Sequence, residues 1–170
     1  EILKVLSFSE FKHVTVLVET ISDKSIDEAS RFLTTASHAL PNLGEDTRPC
    51  LSLISNLVRN HWEQVTKCLE IMATVLSRID NAERARFLTL AARVSEISDS
   101  NIESFLQESS LSLGATEGHL HVHILNMADK LSKINTSVVL NYLNGVPKAL
   151  QKVSINQLET WYETGLTLLH

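Results

Sequence analysis

Apolar residues recur along this chain every 36 or 37 residues, and this period constrains the fold more than any other feature. Six series of positions follow it, each with successive steps of 36, 37 and 37 residues. The series are Leu17, Leu53, Leu90 and Met127; Ile21, Leu57, Val94 and Leu131; Ala29, Val65, Ile102 and Val139; Phe32, Cys68, Phe105 and Tyr142; Leu33, Leu69, Leu106 and Leu143; and Leu40, Leu76, Leu113 and Leu150. A period in this range is typical of helix-pair repeats, in which each pair buries its apolar face by stacking on its neighbours.

The period predicts an all-α fold, a helical-repeat array of the α-solenoid type (HEAT- or armadillo-like) with about nine helices. At 170 residues and 44% apolar content, the chain can bury a sizeable core as a single domain, 1–170. The expected repeats are about 10–46, 47–83, 84–119 and 120–155, with a partial repeat at 156–170. The unfinished repeat and the start at Glu1 without methionine predict that the chain is a fragment of a longer protein.

One stretch departs from the helical pattern at Gly145 and Pro147. Proline lacks the main-chain N–H and clashes with the preceding turn of a helix. We therefore expect the helix in the fourth repeat to be kinked or to restart at this point.

Charge and composition exclude several classes of protein. The net charge of −5 is mild and the charges are interspersed, so there is no basic stripe to bind nucleic acid. No apolar run is long enough to span a membrane, and no signal peptide is visible. Two cysteines are too few for a disulfide framework, and Cys68 falls on a core series. A buried free thiol favours a reducing compartment, and the expected location is the cytoplasm.

Three histidines, His119, His121 and His123, form the one cluster that resembles a chemical site. On a strand all three would share a face, but the helical pattern around them favours a helix. On a helix His119 and His123 are four residues apart and share a face, and Glu117 lies nearby. We name His119 and His123 as candidate metal ligands. Adventitious metal affinity at a solvated helix start, or a pH-sensitive patch, is the alternative.

Catalysis has no support in the sequence motifs. The chain has no Gly-x-Ser-x-Gly elbow and no glycine-rich phosphate loop, so neither an enzyme nor a cofactor is expected. Carboxylates such as Asp27 and Glu28 lie at predicted helix starts, where acidic residues are structurally favoured. A site hidden between helices is the one way in which this chain would still be an enzyme.

Aromatic residues offer candidates for contact with a partner. Trp62, next to His61, lies outside the six series, so contact with a partner and core packing are equally supported for it. The last helix presents Leu158, Trp161 and Leu166. Such an apolar face predicts a homodimer through the C-terminal helix or a downstream segment that covers it.

The segment Leu158-Glu-Thr-Trp-Tyr-Glu-Thr-Gly165-Leu-Thr-Leu is similar to Leu-x-x-Trp-x-x-x-Gly-Leu repeats. Such repeats occur in the helical region ahead of the von Willebrand factor A domain in bacterial proteins of the nitric-oxide-reductase-activation type. The resemblance implies a helical platform that works beside an adhesion domain and an ATPase partner to assemble or activate an enzyme. It implies no metal site, because the adhesion motif Asp-x-Ser-x-Ser is not present.

Taken together, the sequence predicts a non-catalytic scaffold that binds another protein or another domain of its own chain. Neither nucleic acid nor a membrane is an expected partner. The alternative hypothesis is a helical sensor or regulatory bundle that binds a metal or a proton through His119, His121 and His123.

Overall fold

The structure of this chain is a computed structural model that describes residues 6–97 and 101–153, together with Gln157, Thr160 and Thr164. These residues form eight α-helices and no strand, which confirms the all-α class. The helices are α1 (Phe8–Ser22), α2 (Ile26–Ala39), α3 (Thr47–His61), α4 (Val65–Arg78), α5 (Asn81–Ile97), α6 (Ile102–Gly114), α7 (Gly118–Ser132) and α8 (Thr136–Leu150). Short 3₁₀-helices lie at Leu40–Asn42, Gly44–Asp46 and Trp62–Gln64.

The prediction of about nine helices is too high for the described part of the chain. The ninth helix would lie at 156–170, where only three residues are described. The predicted dimer face with Leu158, Trp161 and Leu166 lies outside the described residues, as does most of the segment that carries the family resemblance.

Side-chain caps explain where several helices begin. Ser7 and Glu10 form a complete capping box at α1, in which each side chain bonds the other residue's main-chain N–H. The Ser25 hydroxyl accepts a hydrogen bond from the Glu28 N–H at α2, at 3.2 Å. Asn135 accepts one from the Ser137 N–H at α8, at 2.7 Å. These polar residues satisfy N–H groups that have no partner inside the helix.

Almost all positions of the six periodic series are buried, as the sequence predicts. Two series lie on the first helix of each pair (α1, α3, α5 and α7), and the other four lie on or directly after the second helix (α2, α4, α6 and α8). The exceptions are Leu33, which is 42% exposed, and Tyr142 and Leu150, which are half-buried. Leu33 belongs to α2, Tyr142 belongs to α8, and Leu150 is the last residue of α8.

The chain forms two compact units, residues 1–77 and 78–170. In the first unit α1 packs on α2 and on α3. In the second unit α5 packs on α6 and α7, and α8 packs on α6 and α7. A helix of the second unit therefore contacts its partner in the pair and the corresponding helix of the adjacent pair. The prediction of one continuous domain stays a prediction.

Side-chain hydrogen bonds between helices join residues about one repeat apart in sequence. In the first unit Thr35 of α2 donates to Glu70 of α4 at 3.2 Å, across 35 residues. In the second unit Asn144 of α8 donates to Glu108 of α6 at 3.1 Å, across 36 residues. The same spacing therefore recurs within each unit between the second helices of neighbouring pairs.

Helix α8 runs without interruption from Thr136 to Leu150, so the predicted restart at Pro147 does not occur. Pro147 has no N–H to donate to the carbonyl of Leu143, four residues before it. The hydroxyl of Ser112 on α6 donates to that carbonyl instead, at 2.5 Å. A buried carbonyl needs a partner, and the neighbouring helix supplies it.

Candidate functional site

The histidine cluster does not come together as a three-ligand site. His119 is exposed at the start of α7, with Nδ1 3.6 Å from Oε2 of Glu117. His121 is only 4% exposed. Its Nε2 lies 2.9 Å from the carbonyl oxygen of Leu113 and 3.3 Å from that of Thr116. Because carbonyls only accept, Nε2–H donates to the C-terminal end of α6, where helical carbonyls lack partners.

The metal prediction therefore depends on His119 and on His123, which is half-buried. Across residues 6–97 and 101–153 there is no group of three or more histidine, cysteine or acidic side chains placed to hold a metal. Most protein metal sites use at least three protein ligands. Metal binding by His119 and His123 stays a prediction.

The predicted contact residues His61 and Trp62 lie at the junction between α3 and α4. Both are half-buried, and Trp62 begins the 3₁₀-helix Trp62–Gln64. The next residue, Glu63, is exposed and lines a groove between α2 and α4. The candidate region suggested by Trp62 thus lies next to a surface that the sequence analysis did not identify.

This surface, the α2–α4 groove, is a surface cleft of the first unit. Its volume is about 580 Å³. All of its lining residues are polar or charged: Glu28, Ser30, Arg31, Thr34, Thr35, Glu63, Thr66, Lys67 and Glu70. Small-molecule pockets are mostly apolar with a few polar groups, so this lining favours a polar segment of a macromolecule.

A buried carboxylate lies at the base of the α2–α4 groove. Glu28 is 3% exposed. Its Oε1 accepts a hydrogen bond from the Thr66 hydroxyl at 2.6 Å, and its Oε2 forms an ion pair with Arg31. A buried charge is stable only when it is paired and hydrogen-bonded. Glu28 therefore joins α2 to α4 and holds the Arg31 guanidinium, 72% exposed, at the mouth of the groove.

Sequence reasoning interpreted Glu28 as an acidic residue at a helix start, which is only part of its role. Its main-chain N–H does bond the Ser25 hydroxyl. Its carboxylate, however, bonds Thr66, which lies 38 residues further along the chain. That separation is close to the repeat period. A comparison of polar residues one repeat period apart in the sequence would therefore have identified this contact.

Neither cysteine is placed for nucleophilic chemistry. Cys50 and Cys68 form no disulfide bond, and both are buried. Burial, together with the nearby carboxylate of Asp46, raises the pKa of the Cys50 thiol to about 12. Because the thiolate is the reactive form, Cys50 is inert at neutral pH.

No protein-family model, curated protein or solved structure matches this chain. The resemblance to the helical region ahead of a von Willebrand factor A domain therefore stays a hypothesis. Among the described residues, no helix has the length and apolar character needed to cross a membrane.

Proposed function

We propose that this chain is a non-catalytic helical-repeat scaffold that binds another protein, or another domain of its own chain, through the second helices of its pairs. The observation that carries the proposal is the α2–α4 groove, a polar surface with an arginine held at its mouth by the buried Glu28. Assembly or activation of a partner enzyme is the more specific role implied by the family resemblance alone.

An α-solenoid arrangement within each unit is part of the proposal. Four helix pairs follow the 36–37 residue period, and the six apolar series fall at corresponding places in them. The α2–α4 bond from Thr35 to Glu70 has a counterpart between α6 and α8, from Asn144 to Glu108. Stacked pairs create extended surfaces along one layer of helices, which is how solenoids bind their partners.

The chemistry of the groove suits a protein segment that carries both charge and hydrogen-bonding groups. Lys67 and Arg31 are the cations of the lining, and Glu63 and Glu70 are exposed anions. Arginine is among the residues that contribute most to interface affinity. Mixed charges favour a partner whose own charges alternate, since like charges placed opposite each other reduce affinity.

Site-specific photo-crosslinking tests this function. A benzoylphenylalanine placed at Thr34 in the groove, in the full protein expressed in its natural host, is expected to capture a specific partner. Thr20 on α1 is a matched control, because both threonines are exposed and both donate to the carbonyl four residues earlier. Equal capture from both positions, or capture from neither, would contradict the proposal.

A captured protein supports the proposal only if, once purified, it also binds this chain. Calorimetry of that protein with the wild-type chain and with Arg31→Gln is the second step. Loss of Arg31 is expected to weaken binding by about tenfold, the typical effect of a charge-assisted interface contact. An unchanged affinity would show that the partner does not use this groove.

A further inference from the structure

We draw no further inference here: the strongest candidate, the exposed apolar surface patch of Ile134 and Val138 at the turn between α7 and α8, carries no proposal because nothing in the structure shows what covers it.

Discussion

The hydroxyl of Ser112 on α6 donates a 2.5 Å hydrogen bond to the main-chain carbonyl of Leu143 on α8. That carbonyl is the one that Pro147 leaves without its helical donor. One side chain of the adjacent helix thus allows α8 to continue through a proline. It also joins the two helix pairs of the second unit through a buried hydrogen bond.

We expect Ser112→Ala to lower the free energy of unfolding by about 1–3 kcal/mol, because it leaves a buried carbonyl without a donor. Chemical denaturation followed by circular dichroism measures the effect. Ser109→Ala is a matched control on the same helix. The Ser109 hydroxyl is buried and makes no hydrogen bond within the described structure, so its removal is expected to be neutral or stabilising.

The proline explains why Ser112 matters, and a double-mutant cycle tests this link. Pro147→Ala restores an N–H that can bond the Leu143 carbonyl within α8. In that background Ser112→Ala is expected to cost less than it does in the wild type. Equal costs in the two backgrounds would show that Ser112 acts through packing alone.

An ion pair between α5 and α7 makes the stability of the second unit depend on pH. Burial raises the pKa of Asp129, but its bonds to Arg93 at 2.5 Å and Lys133 at 3.3 Å outweigh this and hold the pKa below its ordinary value of 3.8. The charged form is therefore favoured in the folded state. Its contribution to stability is present above the unfolded-state pKa and is lost as pH falls through the folded-state pKa.

We expect Asp129→Asn to be less stable than the wild type near neutral pH, and the difference to shrink as the pH falls below about 4. Urea unfolding at a series of pH values measures it. Arg93→Gln is expected to give the same trend, since it removes the other member of the pair. A stability difference that stays constant down to strongly acidic pH would contradict the assignment.

Thiol labelling reports on the burial of the cysteines. Because Cys50 is fully buried and its thiol pKa is raised to about 12, a disulfide reagent near neutral pH is expected to leave it unmodified in the folded protein. Labelling is expected only after denaturation, and Cys68→Ala isolates the Cys50 signal. Rapid labelling of the folded chain would show that the core around Cys50 opens readily.

Zinc calorimetry tests the metal hypothesis against the scaffold hypothesis. With His121 bonded to the end of α6, His119 and His123 are expected to give only weak zinc binding. His121→Ala is expected to destabilise the fold, since it removes the shorter of two hydrogen bonds to the Leu113 carbonyl. Tight stoichiometric binding that is lost in His119→Ala/His123→Ala would favour the sensor hypothesis instead.

The helix pairs and the core were predictable because burial follows the helical and repeat periods together. The series do not predict exposure in the end pairs, where Leu33 and Tyr142 are only partly covered. A periodic position identifies the apolar face of a helix. Whether that face is covered depends on the presence of a neighbouring helix pair. The periodicity of a single helix does not predict that neighbour.

The roles of His121, Glu28 and Ser112 were not predictable from local sequence. Each side chain bonds a group on another helix or at the end of one, between 8 and 38 residues away. Local patterns therefore placed His121 in the histidine cluster of the sensor hypothesis and suggested a helix-start acid for Glu28. The α2–α4 groove was missed for the same reason, since it arises where two helices of different pairs meet.

Binding of the protein that is photo-crosslinked at position 34 is the most direct test of the scaffold proposal. Calorimetry measures this binding for the matched variants Thr34→Arg and Thr20→Arg. Both substitutions add the same bulk and charge at exposed threonines, but only Thr34 lines the α2–α4 groove. We expect Thr34→Arg to weaken binding by about tenfold or more and Thr20→Arg to leave it within about twofold. Equal affinities for the two variants would contradict a scaffold that binds through its second helices.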